Sequence, residues 1–362
     1  MKPTGPLREG FTTGTAAAGA AKAAAVLLLT GHALSCVETP LPGGKRLTLA
    51  VADIAFDHDQ AVAAIVKDGG DDPDVTHGAR ILARVSRLPD GEPGAVVITG
   101  GPGVGRVTLP GLGVAVGQAA INPAPMAQIR TAVSEALVAA GAGDALAVRI
   151  DVPDGEALAR QTLNPRLGIV GGISILGVSG IVRPFSHAAW KASIALALDV
   201  AKSLGHDTVG LTTGRRSTAL VAEHVPELPE TAVIEIADYF AFSLVQAARR
   251  GFPRILQAVF VGKLAKMAQG LANTHAHRAA TDFSALAEAC RLAGWPDEAV
   301  AAAREAATAR HVFALAPDDA AKKALADLLA EQALTVMRRF AGPGPQLGLV
   351  VFDFDGRVLT RM

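Results

Sequence analysis

The segment DTVGLTTGRR, residues 207–216, passes from a short apolar stretch through Gly214 to two arginines at the start of a predicted helix. Four other segments of the second half share this near-continuous apolar character, at residues 167–170, 232–236, 254–261 and 347–352. Apolar runs that alternate with helical periodicity are typical of a parallel sheet buried on both faces. They predict an α/β Rossmann-like domain with a mainly parallel sheet over residues 156–362, with a helical C-terminal part.

The best-defined helix of that half begins after Ser186, a candidate N-cap, and ends before Gly205. Its 3.6-residue period places five apolar residues on one face, which we expect to be buried. These residues are Trp190, Ile194, Ala197, Leu198 and Ala201. Ala- and Leu-rich helices fill residues 284–340, with breaks near 294–296 and 316–317.

The first half of the chain has another pattern. An alanine-rich helix is predicted from Thr13 or Thr15, either of which can cap it, to a stop at Gly31. Short β-like runs separated by Gly, Pro and Asp follow, and they lie at residues 46–54, 61–67, 79–88 and 95–99. A second helix is predicted at residues 124–140. Residues 1–155 are therefore predicted to form an α+β domain with an antiparallel sheet.

The composition excludes several classes of protein. Thirty-four Lys and Arg balance 34 Asp and Glu, and aromatic residues make up only 4% of the 362 residues, so nucleic acid is a poor candidate partner. Cys36 and Cys290 have no ligating histidine at metal-site spacing, so no metal site is predicted. The apolar stretch at residues 16–29 is shorter than a membrane span and contains Lys22. With no secretory signal, we expect a cytoplasmic protein.

Two glycine-rich segments are candidate ligand loops. TGGPGVGR at residues 99–106 offers backbone amides at Gly103 and Gly105, with Arg106 as a charged donor, and leads into a long irregular loop rich in Gly and Pro. LGIVGGISILGVSGIVRP at residues 167–184 contains Gly171 and Gly172 but not the G-x-G-x-x-G fingerprint. A plain Gly-Pro turn and close backbone packing are the respective alternatives.

A third candidate lies where the predicted strand of residues 207–212 ends. Thr212, Thr213 and Gly214 form the turn, and Glu235 ends the next strand 21 positions after Gly214. Rossmann-type units place a ribose-binding carboxylate at about this spacing, so an adenosyl ligand fits. Arg215 and Arg216 are either ordinary solvated residues or contacts of an anion. Because cations are disfavoured at a helix N-terminus, their position favours the anion.

Three further segments carry chemically active residue types. KDGGDDPDVTHG at residues 67–78 is predicted to be a structured turn, with proton transfer by Asp71, Asp72 or His77 as the alternative. Residues 261–282 contain Lys263, Lys266 and the pair His275 and His277, which lacks the third ligand of a metal site.

VVFDFDG at residues 350–356 is the third of these segments. It resembles the nucleophile loop of haloacid dehalogenase-like phosphatases, whose chemistry needs an α/β domain after the first Asp, whereas Arg357 and five more residues of this sequence come after Gly356. Asp355 and Gly356 are therefore predicted to form a hairpin turn between an apolar strand and a final short strand.

Six separated blocks resemble the CbiD family, the cobalt-precorrin-5B C(1)-methyltransferases, nearly end to end and in the same order. They are GFTTGTAAAGAAKAA (10–24), KDGGDDPDVTHG (67–78), GPGVGRVTLPGL with QAAINPAP (101–125), LGIVGGISILGVSGIVRPFS (167–186), TTGRR (212–216) and GKLAKMAQGLANTHAHRAA (262–280). The family commonly has Cys where this chain has Ala16, and basic residues near Met126 and Ala127. Neither that thiol nor that cation can then be essential here.

The resemblance implies methyl transfer from S-adenosyl-L-methionine to C1 of cobalt-precorrin-5B, giving cobalt-precorrin-6A, with cobalt present only in the substrate. Alignment and proximity can supply most of the acceleration, without a protein nucleophile. Local cations must meet the carboxylates of the macrocycle, and the candidates are Arg8, Lys22, Arg106, Arg166, Arg183 and Lys263. The cofactor-binding candidates are Gly103, Gly105, Gly171, Gly172, Thr212, Thr213, Gly214 and Glu235. His77 and His187 are the candidate bases.

Two other functions fit the same residues. The glycine loops and Arg215 also suit a nucleotide- or phosphate-using α/β enzyme. The basic residues alone would suit a non-enzymatic tetrapyrrole carrier. A homodimer through the N-terminal sheet is a further hypothesis about assembly.

Overall fold

The computed structural model describes residues 5–275 and 280–362. The chain divides into two compact units, Met1–His187 and Ala188–Met362. The predicted boundary at residue 155 falls inside the first unit. The reason is that the segment after it pairs with strands of that unit, near residue 10 and at residues 103–107.

The first unit contains, in chain order, β1 (Gly10–Phe11), α1 (Thr13–Thr30), β2 (Cys36–Pro40), β3 (Arg46–Ala50), β4 (Asp53–Asp57), β5 (Gln60–Val66), β6 (Arg80–Arg87), β7 (Val96–Gly100), β8 (Gly103–Val104), β9 (Arg106–Val107), α2 (Pro123–Ala140), β10 (Leu146–Asp151), α3 (Gly155–Ala159), a 3-10 turn (Pro165–Leu167), β11 (Ile169–Val170), β12 (Gly172–Ile173) and β13 (Ile181–Val182).

Helix α1 forms the centre of this unit. Thr12, one residue before the predicted start, caps it by accepting a hydrogen bond from the Thr15 nitrogen at 3.2 Å, and Gly31 ends it as predicted. Its alanines are almost fully buried against α2, β5 and β6. By length and composition alone α1 could span a membrane, but most of the helix is buried inside the unit.

The main sheet of the first unit has the order β4-β5-β6-β10-β7. The prediction of an antiparallel sheet is wrong at one edge, because β7 runs parallel to β10. The chain between these two strands contains α2, and a helical crossover is what a parallel pairing requires. The remaining pairs of this unit are short: β2 with β3, β1 with β13, β8 with β12 and β9 with β11.

The predicted strand at residues 167–170 is also wrong as a member of the parallel sheet. Gly168 has a φ of 70°, a left-handed conformation that interrupts extended backbone. Only β11 is extended there, and it pairs antiparallel with β9 in the first unit.

The second unit contains α4 (His187–Ser203), which starts on the last residue of the first unit, then β14 (Thr208–Thr212), α5 (Arg215–His224), a 3-10 turn (Glu230–Ala232), β15 (Val233–Glu235), α6 (Phe240–Arg249), β16 (Arg254–Phe260), α7 (Val261–Ala268), α8 (Phe283–Leu292), α9 (Asp297–Arg304), α10 (Ala309–Ala314), α11 (Asp319–Ala341), β17 (Gln346–Phe352) and β18 (Val358–Arg361).

The sheet of the second unit has the order β15-β14-β16-β17-β18. The first four strands are parallel, and β18 returns antiparallel to β17 through the predicted hairpin turn. Alternate residues of the strands enter a large core cluster on one face and a smaller one on the other. The sheet is thus covered on both sides, as its continuous apolar strands predicted.

One predicted core residue of this unit lies elsewhere. Ile194, Leu198 and Ala201 of α4 are buried as expected, whereas Trp190 in the first turns of the helix is 46% exposed. The helical period is correct, but the core does not reach that far towards the N-terminus of the helix.

The strand order changes direction at β14. The chain leaves β14 to form β15 on one side and returns to form β16 on the other. The carboxyl ends of β14 and β16 therefore flank a topological switch point, the place where open α/β sheets bind their ligands.

Candidate functional sites

A cavity of about 480 Å³ in the first unit lies beside β7, β9 and the start of α2. Its wall is mixed: Ile98, Ile121 and Met126 contribute apolar surface, and its polar groups include Arg106 and Gln118. Apolar walls with a few polar groups are typical of small-molecule sites. The irregular loop singled out in the sequence supplies part of this wall.

Arg106 is the predicted cation that reaches this cavity. Its side chain is exposed, and Nη1 donates a hydrogen bond to the backbone oxygen of Gly117. No carboxylate within the described residues pairs with it. A guanidinium held through one nitrogen keeps its other donors for an anionic ligand.

The nearby glycines serve packing. A β-carbon on Gly103 would collide with the Val152 carbonyl oxygen, and one on Gly172 would collide with the Gly103 carbonyl. Gly105 is closely packed against Ile169. Gly171 differs, because open space surrounds it. Of these four predicted cofactor-binding glycines, only Gly171 has room beside it for a ligand.

The acidic loop after β5 brings two predicted residues together. Arg8 forms a bidentate ion pair with Asp68, with Nη2 and Oδ1 3.0 Å apart, and His77 Nδ1 lies 3.5 Å from the same Oδ1 atom. The Arg8 guanidinium, more than the opposing effect of burial, holds the pKa of Asp68 below its usual value. Lys67, 2% exposed, anchors the loop through Asp74, with the two charged atoms 2.7 Å apart.

The end of the first unit holds three more predicted residues. Arg183 is exposed, and its Nε lies 3.2 Å from Glu9 Oε1. His187 is the exposed first residue of α4, and Arg166 is half-buried in the 3-10 turn before β11. The Phe185 nitrogen donates to Asp72 Oδ1 at 2.8 Å, so the acidic loop also holds this segment.

Lys22 lies within the fold. Its ammonium donates to Glu135 Oε2 at 2.5 Å and to the Glu38 carbonyl at 2.8 Å, and only 14% of the side chain is exposed. Arg46 forms a second, bidentate pair with Glu135. The role of Lys22 as a substrate cation remains a prediction, and the ammonium is already engaged by the protein.

The second site is formed by the strand ends of the second unit. Thr212 is buried, and its Oγ1 lies 2.7 Å from Thr218 Oγ1. The Thr213 nitrogen donates to Ser217 Oγ at 3.0 Å, and Ser217 Oγ donates to the Gly214 carbonyl at 2.8 Å. These bonds fix the turn between β14 and α5 and leave the surroundings of Gly214 open.

Glu235 ends β15 directly beside Thr212 in the sheet register. Its side chain is half-buried, and the described residues provide no hydrogen-bond or ion-pair partner for its carboxylate. The unpaired Glu235 is therefore available to a ligand at the switch point.

Lys263 joins this site although the sequence assigned it to the substrate. From α7 its ammonium donates to the carbonyls of Thr213 and Ala237, at 3.3 and 3.1 Å, and lies 3.0 Å from Asp238 Oδ1. Burial alone would raise the pKa of Asp238, but Lys263 and Thr274 more than offset it and keep the pKa below its usual value. Lys263 thus holds together the loops that follow β14 and β15.

Sequence reasoning missed Asp238 and the strained backbone before it. Ala237 has a φ of 48°, which is uncommon for a residue with a side chain and often marks a functional loop. The position of Asp238, just past a buried strand, was the available signal. His277 lies outside the described residues, and within them no group of three or more metal-ligating side chains occurs.

The two units define a mixed α/β protein with antiparallel and parallel sheets and a candidate small-molecule site in each unit. The CbiD family model matches residues 1–184, and the model of the CbiD C-terminal domain matches residues 273–362. The chain belongs to the CbiD family.

Curated relatives cover nearly all of the chain. The cobalt-precorrin-5B C(1)-methyltransferase of Nitratidesulfovibrio vulgaris is 48% identical over 98% of this chain and 92% of its own length. The protein of the same name from Geobacillus kaustophilus is 45% identical over 100% of this chain and 96% of its own. A crystal structure of the cobalamin biosynthesis protein (cbiD) from Archaeoglobus fulgidus is 28% identical, with a TM-score of 0.41, over 72% of this chain and 79% of that chain.

Proposed function

We propose that this chain is an enzyme, a C-methyltransferase that transfers the methyl group of S-adenosyl-L-methionine to C1 of cobalt-precorrin-5B, giving cobalt-precorrin-6A in anaerobic cobalamin biosynthesis. One observation carries the proposal: a curated relative of that name is 48% identical over 98% of the chain. Cobalt enters only as part of the substrate.

The donor is assigned to the switch point of the second unit, which we interpret as Rossmann-like. Three features support the fit of an adenosyl group: the unpaired carboxylate of Glu235, the open space around Gly214, and the fixed turn of Thr212 and Thr213 between them. Glu235 would accept hydrogen bonds from ribose hydroxyls. Lys263 would keep the flanking loops in place.

The corrinoid is assigned to the cavity of the first unit. The apolar part of the wall suits the flat face of a macrocycle, and Arg106 suits one of its carboxylates. Arg8, Arg166 and Arg183 are further proposed contacts. Arg8 and Arg183 already pair with Asp68 and Glu9, so a substrate carboxylate would have to compete with these acids.

In the proposed reaction the main task of the protein is to position the methyl donor and the ring carbon. A sulfonium is an activated methyl donor, and the electron-rich ring carbon of the corrinoid attacks it in line. The protein must hold the two in alignment and exclude competing water. A proton leaves as the ring system readjusts, and His187 is the proposed acceptor. His77, the other candidate base, already uses its Nδ1 to accept a hydrogen bond from the Gly69 nitrogen.

We also propose a cytoplasmic location for this protein. We propose no nucleic-acid or membrane partner. A homodimer through the main sheet of the first unit remains a hypothesis, which the mass of the protein in sedimentation analysis would test.

The decisive experiment incubates the purified protein with cobalt-precorrin-5B and methyl-labelled S-adenosyl-L-methionine, and locates the added carbon by mass spectrometry and NMR. Label at C1 supports the proposal, and label elsewhere or no transfer overturns it. Calorimetry with S-adenosylhomocysteine, ATP and NAD separates the alternatives. Binding of ATP or NAD alone indicates a nucleotide-using enzyme, and corrinoid binding without any of the three indicates a carrier.

A further inference from the structure

Lys266, on α7, is a charged residue of the second unit to which the proposed function gives no role. Its side chain is half-buried, and its ammonium donates a hydrogen bond to the backbone oxygen of Thr274 at 3.1 Å. Among the described residues no carboxylate pairs with this ammonium, and residues 276–279 contain no acid. Because an ammonium group has three donors, Lys266 keeps two of them for a ligand.

Thr274 joins Lys266 to the loop that follows β15. The Thr274 nitrogen donates to the Asp238 carbonyl oxygen at 3.1 Å, and Thr274 Oγ1 donates to Asp238 Oδ1 at 2.8 Å. Thr274 is 2% exposed, so these bonds are shielded from water and hold the two segments firmly together. Lys266 and Asp238 are therefore neighbours on either side of Thr274.

The carboxylate of Asp238 keeps one oxygen for a ligand. Thr274 and Lys263 both contact its Oδ1 atom, and the Lys263 ammonium lies 3.0 Å from it. Oδ2 accepts no hydrogen bond from the described residues, and 22% of the Asp238 side chain is exposed. Asp238 can thus keep its contacts within the protein while Oδ2 accepts a hydrogen bond from a ligand.

The charges of this cluster do not balance. Lys263 and Lys266 bring two positive charges, and Asp238 brings one negative charge. Burial, the largest cause, and the like charge of Lys263 lower the pKa of Lys266, although Asp238 opposes them. A lowered pKa means that the protein compensates the charged form of this lysine less well than water does. An anion beside Lys266 would supply the missing compensation.

We propose that Lys266 and Asp238 bind the α-amino acid end of S-adenosyl-L-methionine, with Lys266 donating to its carboxylate and Asp238 Oδ2 accepting from its ammonium group. The inference rests on the proposed function, which assigns the methyl donor to this edge of the sheet. An α-amino acid carries both charges on one carbon, so a cation and an anion side by side suit it. The Lys263 ammonium, 3.3 Å from the Thr213 carbonyl oxygen, connects Asp238 to the turn after β14.

The test compares two ligands by isothermal titration calorimetry: S-adenosylhomocysteine, and 5′-methylthioadenosine, which lacks the amino acid end. The unsubstituted protein should bind the first at least about tenfold more tightly, as expected for charge-assisted hydrogen bonds. Lys266→Gln should weaken S-adenosylhomocysteine binding about tenfold and leave methylthioadenosine binding unchanged. Lys266→Arg, which keeps the charge, should retain most of the affinity.

Lys202→Gln is the matched control. Lys202 is an exposed lysine of the same unit, and it also donates to a backbone carbonyl, that of Gly251, at 2.9 Å. Gly251 precedes the amino end of β16, whereas the proposed site follows the carboxyl ends of the strands. The control variant should bind both ligands normally.

A third ligand tests Asp238, the analogue of S-adenosylhomocysteine that lacks the α-amino group. Loss of this group should weaken binding to the unsubstituted protein about tenfold, and much less in Asp238→Asn. The asparagine oxygen still accepts the bond from Thr274, but the side chain carries no charge. Since both ligands are measured on the same variant, a general effect on the loops cancels.

Each outcome decides the inference. It is supported if Lys266→Gln weakens only S-adenosylhomocysteine binding and Asp238→Asn reduces the effect of the amino group. It is overturned if either variant behaves like the unsubstituted protein, if Lys266→Gln weakens both ligands equally, or if Lys202→Gln loses as much affinity as Lys266→Gln. Equal affinity of the unsubstituted protein for S-adenosylhomocysteine and methylthioadenosine, or no binding of the former, overturns it without any variant.

The proposed function is decided separately by the methyl-transfer assay. A protein that methylates cobalt-precorrin-5B at C1, while Lys266→Gln binds S-adenosylhomocysteine normally, keeps its proposed function and loses only this binding site.

Discussion

The Nδ1 atom of His77 accepts a hydrogen bond from the backbone nitrogen of Gly69 over 3.0 Å. A neutral imidazole in this position carries its proton on Nε2, so its exposed nitrogen is a donor. To act as a base at Nε2 the ring would first have to give up the bond to Gly69. This geometry favours a structural role over the proposed role as a base.

His77→Asn tests the role of His77, because the asparagine amide oxygen can accept the same backbone hydrogen bond. We expect methyl transfer within about tenfold of the unsubstituted protein, whereas loss of a general base costs about 10²–10⁴-fold. Single-turnover rates measured across pH provide the comparison. A loss in the larger range, with the pH dependence flattened, would restore His77 as the base. His187→Asn is the parallel variant for the other candidate.

Asp74→Asn should destabilise the first unit strongly. Lys67 is 2% exposed, and the variant leaves its ammonium buried without a counter-charge, which costs about 3–5 kcal/mol. Urea unfolding gives the free energy. The double variant Lys67→Met with Asp74→Asn removes the stranded charge and should recover most of the loss. A double variant no more stable than Asp74→Asn alone would contradict this account of the pair.

The ion pairs of Glu135 with Lys22 and Arg46 predict a specific loss of stability in acid. Arg46, the largest cause, and Lys22 outweigh burial and lower the pKa of Glu135 from 4.5 to about 2. The contribution of the Glu135 carboxylate to stability is therefore complete above its pKa in the unfolded chain, and it is lost as pH falls from about 4.5 towards 2. Allowing for partial exposure, Glu135→Gln should lower the free energy of unfolding by about 2 kcal/mol at pH 7. The same variant should lose less stability than the unsubstituted protein as pH falls from about 4.5 towards 2. Glu156→Gln, in an exposed pair with Arg160, should change little.

Gly103→Ala and Gly171→Ala separate packing from ligand binding. At Gly103, with a φ of 75°, a methyl group would strike the Val152 carbonyl, and we expect a loss of more than about 3 kcal/mol. At Gly171 the space is open, and only backbone strain of about 1 kcal/mol is expected. Differential scanning calorimetry measures both. Similar losses in the two variants would refute the packing role assigned to Gly103.

Glu235→Gln should weaken S-adenosylhomocysteine binding about tenfold, because a charged acceptor for ribose hydroxyls is lost. Thermal unfolding should not change, since no described residue pairs with that carboxylate. Glu223→Gln, an exposed acid on α5, is the control. Isothermal titration calorimetry measures the affinity. Normal binding by Glu235→Gln would contradict the proposed position of the ribose beside Glu235.

Periodicity predicted the helices and the parallel strands, because burial on one or both faces imposes a pattern on neighbouring residues. It also placed Thr213, Glu235 and Lys263 after separate strands, and parallel strands bring such positions to one edge of a sheet. The meeting of Lys263 with Asp238 could not be predicted, because it depends on the left-handed turn at Ala237.

Long-range contacts account for the other differences. Gly103 and Gly172 are adjacent only because β8 and β12 pair across the fold, and nothing local distinguishes a glycine that packs from one that faces a ligand. In the same way, the sequence placed Lys22 on a helix but could not show that Glu135 of another helix lies opposite it.

Helix α1 leaves no room for side chains larger than a methyl group on its packed faces. A β-carbon at Gly19 would lie 2.7 Å from a Leu49 methyl, and one at Gly14 would lie 2.7 Å from Pro125. In a deep mutational scan the buried alanines of this helix should accept little besides Gly and Ser, and Gly14 and Gly19 should reject even Ala, although the helix holds almost no reactive groups. Intolerance to substitution there would report volume, and it should not be mistaken for a catalytic signature.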